Sequence, residues 1–395
     1  MVSKRIGGAS AVVVQGLFGI LLSLVGLAGC EGSSNPVVPH SWPFVATGSG
    51  ASCGMDVNGV PYCWGDNSSG ILGNGADTGK VLLPALVTGS YRFASLSLGG
   101  GHVCALATDG RSYCWGSNPF GELGDGTDSA KFTPVPVKTS LRFIALDAGP
   151  LHSCAITSQG AAYCWGRNEA GELGDNNPDS LERRTPVAVV GGPQFKSISA
   201  GEAFTCGVAV DGTAWCWGYN VNGELGDSLY YYIPFPVQVE TSAKFQSVSA
   251  GWRHSCGVGT NGAGYCWGFG TQGELGNDSL DTFLIPQPVV GGHTFSFIGA
   301  GQYYSCGLAT DQTAWCWGQG FSGELGRSDS TYSPIPIAVS GGLHFTSLSV
   351  GQHYACGIAT DHLAYCWGAN ASGQLGNGST SPSYAPTPVG SPLVE

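Results

Sequence analysis

One string governs what this chain can fold into. Trp-Gly, always one residue after a cysteine, is followed six residues beyond the tryptophan by Gly-x-Leu-Gly. The pattern recurs seven times, at intervals of 50 to 52 residues between cysteines. A fixed period near 50 is the mark of a solenoid or a propeller. Within one period Phe143-x-x-Leu146-x-Ala148 alternates and Gly149 follows. His152-x-Cys154-x-Ile156 then leads through a turn to Ala162-Tyr163-Cys164-Trp165-Gly166, and a long polar loop ends in Pro186-Val187-x-Val189. These are four short strands per period, with no helical periodicity. Four-stranded units at this spacing are propeller blades. The expected fold is therefore all-β: a seven-bladed β-propeller of four-stranded antiparallel blades over residues 42–395. The first unit opens at Trp42-x-x-Val45 without a preceding Pro-Val strand, and the last ends Ala385-Pro386-Thr387-Pro388-Val389. The ring is thus expected to close by the C-terminal strand joining the N-terminal blade, which would remove exposed strand edges.

Fourteen cysteines fall into seven pairs ten residues apart: Cys53/Cys63, Cys104/Cys114, Cys154/Cys164, Cys206/Cys216, Cys256/Cys266, Cys306/Cys316 and Cys356/Cys366. Between each pair lies a turn such as Thr108-Asp109-Gly110. A three-residue loop with glycine third is a type I turn plus a G1 bulge. That register pairs Ala107 with Arg111 and sets Cys104 directly opposite Cys114, at a non-hydrogen-bonded position where side chains are closest. Seven intrablade disulfides are expected. Glycine gives way to Gln312 and His362 in the last two turns. No Cys-x-x-Cys or Cys/His knuckle points to metal. The tryptophan after each second cysteine lies on the opposite sheet face from the sulfur, and is expected to fill the gap between blades.

Residues 1–29 read as a signal peptide, with Lys4 and Arg5 ahead of an apolar run. The run ends in Leu27-Ala28-Gly29-Cys30, which resembles the bacterial lipobox. That resemblance implies lipid on Cys30 and cleavage before it. Residues 30–41 follow as a solvated tether. The chain is thus expected to be exported and lipid-anchored to the bacterial cell envelope, at the outer membrane or cell surface, where disulfides can form. Net charge is −12, and more acidic still without Lys4 and Arg5. An acidic surface without basic runs argues against nucleic acid.

Trp115-Gly116-Ser117-Asn118-Pro119-Phe120-Gly121-Glu122-Leu123-Gly124, followed by Pro-Val, Phe-x-x-Val/Leu and Gly-x-x-His, resembles the repeat of the regulator of chromosome condensation (RCC1-like) family. The resemblance runs from Trp42 to the C-terminus. It implies a seven-bladed propeller serving as a binding platform, here in a bacterial lipoprotein member. The founding member is a nuclear exchange factor for a small GTPase, an activity that export and disulfides make a poor fit. Secreted bacterial relatives include proteinaceous β-lactamase inhibitors that dock through one propeller face.

Chain direction puts the Asp/Asn-Gly turns at one end of the blades. The long Trp-Gly…Pro-Val loops and the Gly-x-x-His loops share the other end. Gly48, Gly99, Gly149, Gly201, Gly251, Gly301 and Gly351 stand five residues before each first cysteine, as if a β-carbon would obstruct a backbone bend. The positions after them vary most. Large variable side chains on a fixed frame suit a binding surface, and the candidates are Glu202, Trp252, Arg253, Gln302, Tyr303, Gln352 and His353. Gly251-Trp252-Arg253-His254-Ser255 is similar to a stretch of the plant ultraviolet-B photoreceptor of this fold, but Glu202 and Gln302 stand where its light-absorbing tryptophan cluster would continue. The aromatic loop Leu229–Phe235 is a second contact candidate. Glu122, Glu172, Glu224, Glu274 and Glu324 share one slot with Ile71 and Gln374, and are expected to bind backbone amides of their own loops. His102, His152 and His254 exchange with Phe204, Tyr304 and Tyr354, which points to packing. No catalytic residues and no cofactor are assigned. A sialidase-like hydrolase on a propeller scaffold is the alternative, disfavoured because no Asp-box, arginine triad or nucleophile elbow appears. The expected function is non-enzymatic binding of a protein partner by a monomer.

Overall fold

The computed structural model describes residues 40–395, apart from 78, 178–180, 329–330 and 394–395. The signal segment, Cys30 and all of the tether but residues 40 and 41 lie outside that range. The described residues form twenty-eight strands and no helix. They divide into seven four-stranded antiparallel sheets in which sequence neighbours pair. Blade 1 comprises β1 (Phe44–Thr47), β2 (Ala51–Met55), β3 (Pro61–Asp66) and β4 (Lys80–Leu86). The first strand of every blade faces the axis and the fourth is the outer edge. In blade 2 that edge, Lys131–Pro136, carries Pro134 and Pro136, residues that cannot donate to a further strand.

Ring closure differs from the expectation. β1 to β4 complete blade 1, and the C-terminal strand Ser383–Pro388 pairs within its own blade, Cys366 opposite Thr387. Among the described residues no strand is exchanged between the N-terminal and C-terminal blades. The Pro-Val strand belongs to the blade whose tryptophan it follows, so the N-terminal blade has no vacancy. Closure is instead made by faces and loops. Trp42 N donates to His362 O at 3.0 Å and Gln352 N to Gly48 O at 3.1 Å, and Trp42 and Trp64 pack with Cys356 and Cys366.

All seven disulfides are formed within blades: Cys53–Cys63, Cys104–Cys114, Cys154–Cys164, Cys206–Cys216, Cys256–Cys266, Cys306–Cys316 and Cys356–Cys366. Each joins directly opposed residues 4.0–4.1 Å apart at Cα, the close spacing of a non-hydrogen-bonded pair. The turn register is as read, with Ala107 N bonded to Arg111 O at 2.9 Å.

One rule builds every joint between blades. The disulfide face of one blade packs against the tryptophan of the next. Cys53 and Cys63 meet Trp115, Cys104 and Cys114 meet Trp165, and Cys154 and Cys164 meet Trp217. Cys206 and Cys216 meet Trp267, Cys256 and Cys266 meet Trp317, and Cys306 and Cys316 meet Trp367. Cys356 and Cys366 meet Trp64 and complete the circle. Each indole Nε1 then donates to the carbonyl at the glutamate slot of the preceding blade: Trp115 to Ile71 O at 2.9 Å, Trp165 to Glu122 O at 2.7 Å, and Trp64 to Gln374 O at 2.9 Å across the closure. An indole buried against sulfur would strand its N–H without such a partner.

Candidate functional site

The seven slot glycines form a girdle around the axis. A β-carbon on Gly99 would lie 2.0 Å from Gly149 O, one on Gly149 2.7 Å from Gly201 O, and one on Gly351 2.6 Å from Gly48 O. The glycine is required by the neighbouring blade's carbonyl, a contact between blades that a reading of one repeat as a local bend does not capture. Beside the girdle the long loops bond to the Gly-x-x loops. Arg167 N donates to Leu151 O at 3.0 Å, Phe269 N to Arg253 O at 2.9 Å and Ala369 N to His353 O at 3.0 Å. Both loop sets therefore make one end of the ring.

The seven candidate residues are all half-buried at this end. Alternation splits them. Trp252, Gln302 and Gln352 line the mouth of the central channel. Arg253, Tyr303 and His353, one residue on, turn outward over the loops. Tyr303 packs on Phe269 with ring centroids 6.1 Å apart, and His353 Nδ1 lies 3.8 Å from Glu324 Oε1. Glu202 feels the charges of Arg253 and Arg167, but burial pushes its carboxyl up. Trp252 Nε1, Arg253 Nε and Gln302 Oε1 are buried atoms without a hydrogen-bond partner among the described residues. The aromatic loop is exposed, with Tyr230, Tyr231 and Tyr232 at 56%, 68% and 52%, and Tyr232 rests on Tyr219 at 5.1 Å.

The paired cysteines take no part in this end. Cys216, Cys266 and Cys316, like the other eleven, are fully buried in the joints, and none lines the channel or its mouth. Their sulfurs are structural: each is already spent in a disulfide and sealed by an indole, so it meets no ligand.

Each glutamate of the Gly-Glu-Leu-Gly slot binds its own loop. Glu122 Oε2 accepts from Phe120 N at 2.9 Å, Glu274 Oε2 from Gln272 N at 2.8 Å, and Gln374 Oε1 makes the same bond to Ser372 N at 2.9 Å. Burial drives the carboxyls of Glu172 and Glu224 up to about 7 and that of Glu274 up to about 8. Glu122 and Glu324 are raised for the same reason. The histidines do more than pack. His102, His152 and His254 place Nε2 2.8 Å from Ser153, Thr205 and Ser305 hydroxyls of the next blade. Those hydroxyls already donate to Glu122, Glu172 and Glu274 carbonyls, so each imidazole is the donor, in its neutral Nε2–H form. Burial holds them down, to about 4 for His102 and about 3 for the others. Among the described residues no group of three or more His, Cys, Asp or Glu side chains could hold a metal ion.

One residue the sequence reading missed lines the channel. Asp147 stands two residues before Gly149, where the other blades carry Ala46, Ser97, Ser199, Ser249, Gly299 and Ser349. Its Oδ1 accepts from Ser97 Oγ at 2.7 Å and its Oδ2 from Ala200 N at 2.8 Å. The signal was there: an acid where every other repeat has a small residue.

The geometry is that of a closed seven-bladed propeller with one elaborated loop end. Its repeats match the regulator of chromosome condensation (RCC1) repeat over residues 58–106, 109–156, 159–208, 211–258 and 361–394. A second description of the same repeat matches 93–122, 143–172 and 195–224. Together they span more than half of the chain, and the chain belongs to the RCC1 repeat family. It is 27% identical over 192 residues to the ultraviolet-B receptor UVR8 of Arabidopsis thaliana, covering 48% of this chain and 44% of that one. It is 32% identical over 97 residues to the probable E3 ubiquitin-protein ligase HERC4 of Mus musculus, 24% of this chain and 9% of the relative. The chain thus spans less than half the length of both. Among solved structures, Prp20p of Saccharomyces cerevisiae superposes with a TM-score of 0.77 at 21% identity over 85% of this chain and 87% of its own. Human WBSCR16 gives 0.75 at 18% identity over 83% and 93%. These are likenesses of fold.

Proposed function

We propose that this chain is a non-enzymatic, protein-binding propeller, held at the bacterial cell envelope by lipid on Cys30, whose loop end around the channel mouth docks the partner. The observation that carries the reading is the set of unpaired buried atoms at that end, Trp252 Nε1, Arg253 Nε and Gln302 Oε1. Buried polar groups are normally paired, and leaving one unpaired costs about 1–3 kcal/mol. Three such groups at one loop end, two at the channel mouth and Arg253 beside it, await a complementary surface, and Trp, Tyr and Arg are the residue types that anchor interfaces. Similar propellers support it: one solved structure shows Kap60 bound to yeast RCC1 (Prp20), and another concerns the binding of Prp20p to Gsp1p and histones. The string Leu27-Ala28-Gly29-Cys30 supports the anchor.

Pull-down from envelope extracts with wild type and a Trp252→Ala/Tyr303→Ala double variant tests the face. Loss of the partner is expected, and unchanged recovery discards this placement. For the anchor, Cys30→Ser is expected to move the protein from the membrane to the soluble fraction. Soluble wild-type protein without a lipid mass would overturn it.

A further inference from the structure

The channel of this propeller is a cavity of ≈ 390 Å³ lined by the innermost strands. Its wall is apolar and polar in nearly equal measure: Leu146, Ile198, Val248, Phe297 and Leu348 line it together with serines and backbone. Among the described residues Asp147 is the one charged side chain on it. The joint does not need that charge. At the same slot Ser199 Oγ accepts from Ala250 N at 3.1 Å, Ser249 Oγ from Ala300 N at 3.1 Å and Ser349 Oγ from Thr47 N at 3.0 Å. Those are the bonds that Asp147 makes to Ala200. A serine would complete the girdle, and the aspartate adds a negative charge in a channel on which, among the described residues, no cationic side chain lies. Burial pushes its carboxyl up against the hydrogen bonds from Ser97, Ala200, Ser199 and Ala148 that favour the charged form, and a charge away from bulk water without a counter-ion is costly.

We propose that the channel takes an ammonium group on an aliphatic stem, with Asp147 as its counter-ion, and that a lysine side chain of the docked partner supplies it. Asp147 lies two residues below Gly149, which is about 7 Å along a strand. The extended stem of a lysine entering at the glycine girdle is of that length, and its methylenes suit the apolar part of the wall, Leu146 and Ile198 among it. Trp252 at the mouth adds an indole that attracts cations. Hard divalent cations favour several charged oxygens, and among the described residues Asp147 is the one carboxylate on the wall. The source of the lysine rests on the docking reading above; the site itself does not.

The test titrates the oxidised protein with n-butylammonium chloride and follows the amide signals of Asp147, Ala148 and Ala200. Saturable shifts are expected in wild type, with affinity weakened roughly tenfold or more in Asp147→Ser and in Asp147→Asn. Serine stands at this slot in four other blades, so an unchanged melting temperature shows that Asp147→Ser is folded. Uncharged n-butanol is expected to shift nothing. The proposal is overturned by equal binding to Asp147→Ser, by equal binding of n-butanol, or by potassium chloride shifting these amides when butylammonium does not. N-acetyl-Gly-Lys-Gly-amide separates the sources. Its binding supports a partner's lysine, and its exclusion while butylammonium binds overturns that source. If Trp252→Ala/Tyr303→Ala left the partner bound, the docking face would fail while the amine result stood.

Discussion

Replacing Glu274 by glutamine should stabilise the protein at neutral and alkaline pH and leave it nearly unchanged near pH 5. Glu274 is fully buried. Its Oε2 accepts one backbone N–H at 2.8 Å, and its Oε1 is unpaired among the described residues. Desolvation lifts the carboxyl from 4.5 to about 8. An acid whose folded value is raised favours folding below its unfolded value, and that contribution drains away as pH climbs through the folded one. The folded protein keeps the proton at pH 7, whereas the unfolded chain has lost it. The resulting cost is about 3 kcal/mol at pH 7, approaching about 5 kcal/mol above pH 8. Gln374 shows that a neutral amide fits the slot, since its Oε1 takes the same bond from Ser372 N at 2.9 Å. With the unfolding entropy of a chain of this size, Glu274→Gln should raise the melting temperature by about 4 °C at pH 7. Thermal unfolding followed by tryptophan fluorescence from pH 4.5 to 9, without reductant, reads both curves. Wild type should lose stability with rising pH more steeply than the variant. Parallel curves would show that Glu274 is already ionised in the fold, and the reasoning would fail.

Other consequences are direct. Gln312 and His362 hold left-handed backbone, with φ of 71° and 66°, at the turn position where other blades have glycine; Gln312→Gly and His362→Gly should each stabilise by about 1 kcal/mol in chemical denaturation. Gly149→Ala would bring its methyl 2.7 Å from Gly201 O and should cost about 1–3 kcal/mol, with the largest amide-exchange increases at the joint between blades 3 and 4. Cys104→Ala/Cys114→Ala should cost about 2–3 kcal/mol, and alkylation of unfolded, unreduced wild type should label none of the fourteen paired cysteines. Trp64→Phe removes the Nε1 bond to Gln374 O at 2.9 Å and should lower stability by about 1–3 kcal/mol, as much as Trp267→Phe does, because the closing joint is built like the others.

What the sequence made legible and what it hid divide along one physical line. Features within a single repeat could be read from spacing. The opposed cysteines follow from the turn register, and the glutamates bind amides two residues away. Features between repeats could not, because they join residues about fifty apart whose relation depends on how blades are cut from the chain. The matched repeat 58–106 starts in the hairpin turn of blade 1 and ends in the second strand of blade 2, so the unit of sequence straddles two units of structure. Counted in sequence units, the N-terminal blade comes out one strand short, and a strand exchange that does not occur is the natural conclusion. The same offset concealed the partners of the girdle glycines and of the tryptophan N–H groups. It also concealed Asp147, which within its own strand is an ordinary polar residue. Its meaning appears when the seven equivalent slots are brought side by side around the axis, where four serines, an alanine and a glycine leave a single charge facing the channel. Departures from the repeat matter most at the axis, since that is where all seven copies meet and one side chain can face a ligand that touches every blade.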